Sequence, residues 1–219
     1  MKQNTNLKSF LVAVAALGLA ATASAQSTSV AVPTPSETQS ASGLLGTRYT
    51  AVEANYYDLL GGSPGVARGL TLSYNQPLNP YLDLGADYSW AEAHLSGVRL
   101  TQQQFDVGAT AYTKLAWGKP FAVADAGWVW ARTANGFEDD SFAYKLGVGV
   151  EFQALRNLTV TPYFTFVRAT HFNTSEFDGG VKAAYRLTRD WSVTARVGYD
   201  WIRHSDDTLE YALGVNYSF

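Results

Sequence analysis

The stretch that decides the fold is Tyr211–Phe219, YALGVNYSF. Large apolar side chains stand at every second position (Tyr211, Leu213, Val215, Tyr217 and Phe219), with Ala212, Gly214, Asn216 and Ser218 between them. A period of two is the mark of a β-strand with two unlike faces. The pattern runs through Phe219, where a soluble domain would ordinarily fray. Such a strand needs a partner along its whole length.

The same alternation recurs backwards from there. It predicts strands at Thr47–Tyr57, Ala67–Asn75, Tyr81–Ala91, Gln102–Leu115, Phe121–Arg132, Ser141–Ala154, Leu158–Arg168, Gly179–Leu187, Trp191–Arg203 and Leu209–Phe219. Tight turn signals (QPLNP, AWGKP, LRN, TRD) follow the even-numbered segments. The connections after the odd ones (LLGGSPGV, HLSGVRL, TANGFEDD, HFNTSEFD, HSDDT) read as mostly longer and more polar. Repeated strands of this length, joined alternately by short turns and longer loops, predict an all-β fold. The expected architecture is an up-and-down antiparallel transmembrane β-barrel of ten strands, with eight strands as the alternative.

A soluble barrel alternates too, so the side-chain inventory has to say which face is inside. Most of the chain's aromatic residues share the apolar parity, among them Tyr56, Tyr88, Trp128, Trp130, Phe142, Phe164, Trp191, Trp201, Tyr211 and Tyr217. The opposite parity carries Gly85, Gly108, Gly127, Gly147, Gly149 and Gly198 with Thr71, Thr110, Thr159, Thr161 and Thr194. A small barrel is barely wide enough for ordinary side chains to fill it, so the rings must face outward, into lipid. They cluster toward strand ends, as the two aromatic girdles of a bilayer-spanning barrel require. In hydrocarbon every backbone polar group must be paired, which obliges the last strand to close on the first.

The remainder of the chain agrees with export. Of the 219 residues, 47% are hydrophobic, too many for disorder, yet the one long apolar run, Phe10–Ala21, is shorter than the roughly 20 residues a spanning helix needs. It follows Lys2 and Lys8 and precedes Ala23-Ser24-Ala25, which reads as a signal peptide at residues 1–25. Removing it takes two lysines and no acids, leaving 14 basic and 19 acidic side chains and a net charge of −5. A chain of that sign lacks the basic face that nucleic acid requires. Cysteine is absent, so stability has to come from burial and hydrogen bonding. Residues 26–46 are rich in Ser, Thr and Pro and read as a flexible spacer; residues 47–219 are the barrel.

These features together resemble the small bacterial outer-membrane β-barrels of the OmpA/OmpX type. The matching residues are the leader, the strand meander over about 47–219, and the alternating ending Tyr211, Leu213, Val215, Tyr217 and Phe219. The resemblance implies residence in the outer membrane and, for that ending, the role of the signal read by the barrel-assembly machinery. It does not single out one function, because such barrels serve as pores, adhesins, enzymes and structural links. The chain departs from the eight-stranded members by two predicted strands.

Parity places a set of charges inside: Glu53, Asp83, Asp87, Asp106, Asp125, Glu151, Asp200 and Glu210 with Lys114, Lys145, Lys182, Arg186 and Arg196. In a narrow interior they must pair or be hydrated. Paired, they close the core; hydrated, they line a narrow channel that the excess of acids makes cation-selective. Inward glycines favour the channel only if the inward rings Tyr49, Tyr57, Tyr112, Phe121 and Tyr163 do not pack over them.

Catalytic patterns are weak. GGSPG at 61–65 matches the form of a nucleophile elbow, but Pro64 has no N–H for an oxyanion hole, and the stretch reads as a turn. His94, His171 and His204 fall at the loop rim near Asp139, Asp140, Asp206 and Asp207. Ten strands with such a rim are similar to the omptin proteases, without a residue-by-residue motif match. No histidine spacing suggests a metal site, and no cofactor is expected. One further pattern concerns Arg132, Arg168 and Arg203. Each lies at the loop end of a strand, on the outward parity, two residues beyond Trp130, Phe166 or Trp201. Guanidinium groups at that depth are suited to bidentate contact with phosphate, which makes outer-membrane lipid, and lipopolysaccharide in particular, the expected partner. The leading functional expectation is a non-enzymatic outer-membrane barrel with a structural or surface-interaction role, its surface partner unspecified. A narrow cation-selective pore comes second, and a rim-located hydrolase third.

Overall fold

The computed structural model describes residues 43–60, 65–95, 98–134, 136, 138–203 and 207–219. The leader, most of the spacer, Ser63, Pro64, His204 and Asp206 lie outside the described residues. Ten antiparallel strands form one closed barrel: β1 (Tyr49–Leu59), β2 (Gly65–Asn79), β3 (Leu82–Leu95), β4 (Val98–Tyr112), β5 (Lys119–Thr133), β6 (Glu138–Leu155), β7 (Leu158–Ala169), β8 (Thr174–Arg186), β9 (Trp191–Ile202) and β10 (Thr208–Ser218). Each strand pairs with its chain neighbours, and β10 closes on β1 in a register running from Tyr49↔Ser218 to Leu59↔Thr208. Beyond it the Phe219 N–H donates to the Arg48 carbonyl, so pairing extends to the last residue.

The outer surface is apolar in the way the alternation requires. Val52, Tyr56, Leu70, Leu72, Phe105, Val107, Trp128, Leu146, Phe164 and Leu213 are all exposed, whereas the residues between them face a polar interior. An apolar exterior around a polar interior is the inverse of a soluble barrel, and it is stable only in lipid. Rings on neighbouring strands meet across it: Trp191 and Tyr217 lie 5.0 Å apart, Phe166 and Phe177 5.2 Å, Tyr56 and Tyr211 6.4 Å. Two ends can be distinguished. The turn end holds Tyr49, Phe219 and the connections after the even strands; the loop end holds the connections after the odd ones.

Strand boundaries depart from expectation mainly at the loop end. The stretches that read as polar loops are largely strand: β3 and β4 leave only residues 96–97 between them, β6 begins at Glu138, and β8 begins at Thr174 rather than Gly179. A crossing takes about 9–11 tilted residues, so strands of up to 18 residues project beyond the bilayer. There water replaces lipid and the apolar parity is no longer required, which is why the period fades while the ladder continues. The two ends therefore do not differ consistently in connection length. The longer start of β8 adds Glu176 and Asp178 to the interior and Phe177 to the exterior.

Candidate functional site: a charged lumen with apolar clusters at both ends

Inside the turn end, the chain preceding β1 enters the barrel. Residues 43–46, expected to belong to the spacer, are held there: Leu44 and Leu45 are buried. Their backbone N–H groups donate to the Glu151 carboxylate at 2.7 and 3.0 Å, and the Gly46 N–H donates to Asp83 at 2.9 Å. Gly46 has a φ of 87°, the left-handed conformation that glycine reaches without penalty. It turns the segment from the lumen into β1. Gly43 lies so close to Glu151 that a Cβ would overlap the carboxylate. Lys119 bridges Glu151 at 2.8 Å and the Leu45 carbonyl at 3.2 Å. Asp83 also accepts from Tyr112 and Asn75. Leu45 completes an apolar cluster with Tyr112, Phe121 and Tyr163.

Above this plug rings and charged side chains meet inside the barrel. Phe121 packs over Gly149, and the Tyr163 hydroxyl lies over Gly180 and Gly198, so these three inward glycines make room for inward rings. Lys145 pairs with Asp125 at 2.6 Å, and Gln104 donates to Asp106. Nearer the loop end, Arg196 donates to Glu53 at 3.0 Å and in fork geometry to Glu210 at 2.6 and 2.8 Å, and Lys182 donates to Glu53 at 3.0 Å.

Apolar groups gather inside the loop end. Tyr57, Leu59, Ala67, Ala93, Leu100 and Ala131 form one inward cluster, Val129, Ala143, Val167 and Ala169 another, and Phe172 packs against both. Phe172 is carried on the β7–β8 turn, which is tied to β6 by hydrogen bonds from Thr170 to the Phe142 carbonyl and from the His171 N–H to Ser141. Asn173 ends that turn at φ 54°, a conformation asparagine tolerates better than most residues.

Most of the expected interior charges are brought together in this way: Glu53, Asp83, Asp106, Lys145, Glu151, Lys182, Arg196, Asp200 and Glu210 are buried. Asp125 faces inward against Lys145, and the half-buried Asp87 faces inward on β3. Two stand at the turn-end margin of this network. Lys114 is exposed, because β4 ends at Tyr112; desolvation, then the nearby Lys119 charge, lowers its pKa from the ordinary lysine value. Arg186 is half-buried at the turn-end limit of β8. Parity missed Lys119, Glu176 and Asp178 because the predicted strands were cut short of them. Carrying the period five residues upstream of Gly179 would have found the two acids.

On the outside, Arg132, Arg168 and Arg203 stand at the loop end as expected, and each has local contacts. Arg132 pairs with Glu138 at 2.6 Å, both side chains mostly exposed. Arg168 donates to Ser175 at 2.7 Å and to Asn173 at 2.9 Å. The Arg203 side chain is exposed, and its N–H donates to the Ser175 carbonyl. The structure adds Arg68 and Arg99, on the outward face of β2 and β4, flanking Glu92 at 3.7 and 2.5 Å. Of the rim histidines, His94 lies 3.5 Å from Glu92 and His171 3.4 Å from Asp139.

No protein-family model and no curated protein sequence matches this chain. Solved structures do. An outer membrane channel from Pseudomonas putida superposes with a TM-score of 0.54 at 10% identity, covering 79% of this chain and 96% of that one. The chain folds as an outer-membrane β-barrel. Neisserial surface protein A matches over 78% of this chain and 97% of its own, with a TM-score of 0.43 and 17% identity. The translocator domain of the autotransporter NalP from Neisseria meningitidis matches over 80% and 89%, with a TM-score of 0.47 and 11% identity. At such identities the likeness speaks for the fold alone.

Proposed function

We propose that this outer-membrane barrel is non-enzymatic and non-conducting, and that it serves a structural or surface-interaction role. The observation that supports this reading is the packing inside both mouths, of Leu44 and Leu45 bound to Glu151 at one end and of Phe172 against two apolar clusters at the other. On this reading ion flow would require displacing Leu44 and Leu45 at one end and the partly buried Phe172 at the other. The test is conductance of the refolded full chain in planar bilayers: the expected record is silent, and long-lived stepwise openings would overturn the reading. A narrow cation-selective channel is the second reading, favoured by the excess of inward acids over bases, and it predicts those openings with cation over anion selectivity.

The loop end supports attachment to the outer leaflet. Arg68, Arg99, Arg132, Arg168 and Arg203 lie on the outward face of successive or alternate strands beyond the aromatic girdle. Exposed ion pairs such as Arg132 with Glu138 contribute only about 0–1 kcal/mol, so exchanging the carboxylate for a lipid phosphate costs little. The belt fixes the depth of the barrel by bidentate contact with lipopolysaccharide phosphates. Replacing Arg132, Arg168 and Arg203 together with Gln is expected to leave folding in detergent intact while lowering co-purified lipopolysaccharide. Unchanged lipopolysaccharide would reduce the arginines to ordinary interfacial anchors. The alternating ending, Tyr211 to Phe219, is read here as the address for the barrel-assembly machinery.

A further inference from the structure

The charges on the β8–β10 wall do not balance. Glu53 and Glu210 are matched by Lys182 and Arg196 through the hydrogen bonds already described, a quartet with two acids and two bases. Three more carboxylates, Glu176, Asp178 and Asp200, occupy the same wall. They are neighbours by register: Asp178 pairs across from Asp200 in the β8–β9 ladder, Thr208 pairs across from Asp200 in the β9–β10 ladder, and Glu176 stands two residues before Asp178 on the same face. Asp178 accepts from the Tyr163 and Thr165 hydroxyls, at 3.4 and 3.3 Å, and its carboxyl meets that of Asp200.

Glu176 and Asp200 have no N–H or hydroxyl donor among the described residues. Glu176 is 1% exposed and Asp200 0%, and among the described residues no donor reaches either carboxylate oxygen of Glu176, either carboxylate oxygen of Asp200, or the Thr208 hydroxyl. Buried polar groups are almost always paired, and an exception calls for an explanation in ligand, ion or proton. Four of the five oxygens on this wall that lack partners are carboxylate acceptors, so what completes them must bring donors. A dedicated metal site is not what the geometry offers, because no group of three or more histidine or acidic side chains among the described residues is placed to hold a metal ion.

We propose that Glu176, Asp178, Asp200 and Thr208 form a binding site for a small organic cation of the guanidinium or primary-ammonium class. Its N–H groups supply the hydrogen bonds the carboxylates lack, and its charge offsets the three unmatched acids; Arg196 shows the same chemistry one step away, forked onto Glu210. The site lies at the level of the loop-end apolar clusters, since Glu176 pairs across from Val167, and Phe172 packs against those clusters. The inference does not depend on whether the lumen conducts: a barrel that opened in bilayers and still bound the cation would refute the closed-lumen reading and leave this one standing.

The test refolds the full chain in detergent with graded methylguanidinium, so that the packed mouths do not limit entry, and reads the thermal unfolding midpoint. Tetramethylammonium at equal ionic strength supplies the same charge without an N–H donor, and magnesium supplies a metal. The expected result is a saturable upward shift with methylguanidinium that tetramethylammonium does not reproduce. Its half-saturation should rise at least tenfold in the Glu176→Gln/Asp200→Asn double variant and stay unchanged in Glu92→Gln, whose carboxylate faces outward. Should the double variant fail to fold, the comparison of the cations on the parent chain decides alone. No saturable shift, or an equal shift with tetramethylammonium, overturns the site, the carboxylates then being protonated or hydrated. A shift with magnesium only overturns the ligand class, and a shift retained in the double variant overturns the location.

Discussion

Arg196 lies between Glu53 and Glu210 and donates to both while fully buried. Removing it leaves two carboxylates sharing a single lysine, and breaking one side of a buried ion pair typically costs about 3–5 kcal/mol. Arg196→Met is therefore expected to lower stability by that order, measured by urea unfolding of the detergent-folded barrel. A loss within experimental error would mean that Glu53 and Glu210 are neutral in the folded state. At the other end, Leu45 is 1% exposed within the cluster of Tyr112, Phe121 and Tyr163. Truncating a buried leucine to alanine costs about 2–5 kcal/mol, and Leu45 sits at the end of the barrel rather than in its middle, so the lower part of that range is expected. Leu45→Ala should also make the chain before β1 cleavable by protease at concentrations that leave the parent intact. Equal protection would show that the hydrogen bonds to Glu151 and Asp83 hold the segment without the leucine.

At the scale of the strand, β10 does two jobs with its two faces. Its inward residues Glu210, Ala212 and Asn216 are buried, while Tyr211, Leu213, Val215 and Tyr217 meet lipid. Phe219 follows, stacked near Tyr217 at 5.9 Å with the Arg48 guanidinium 5.6 Å from its ring. Deleting Phe219 removes one ring and one terminal hydrogen bond and leaves the β1–β10 ladder intact. Refolding in detergent should therefore be nearly unaffected, whereas the amount of heat-modifiable barrel recovered from cell membranes should fall several-fold. Equal recovery would separate the ending from assembly. Legibility in the sequence follows the same division. Where lipid lies on one side, as along β10, the pattern is strict and strand and facing can be read directly. At the start of β8, beyond the lipid, Thr174, Ser175 and Glu176 are all buried in succession, the period breaks, and the residues that make the unmatched wall look like loop.

For the molecule as a whole, the strand number, the closure and the outward facing of the rings follow from alternation and from the requirement that every backbone group in lipid be paired. The state of the lumen does not follow from them. Alternation says which residues point inward but not whether they meet, and the entry of Leu44 and Leu45 into one mouth and of Phe172 into the other depends on single turns, at Gly46 and Asn173, that carry no periodic signal. Local composition misleads there as well, since a Ser- and Pro-rich approach reads as spacer up to the residue where it becomes a plug.

The claim on which all of this stands is that the apolar parity faces lipid. Five of the six tryptophans occupy that exterior, Trp191 toward the turn end and Trp90, Trp128, Trp130 and Trp201 toward the loop end, and Trp117 is exposed on the β4–β5 turn. The most direct test is fluorescence of the refolded chain in vesicles whose acyl chains carry bromine at defined depths, with acrylamide as the aqueous quencher. The account predicts that brominated lipid removes most of the emission, more strongly with bromine near the headgroups than at the bilayer centre, and that acrylamide removes little. Emission indifferent to brominated lipid but quenched by acrylamide would place the rings in water or in the lumen and contradict the structure's central arrangement.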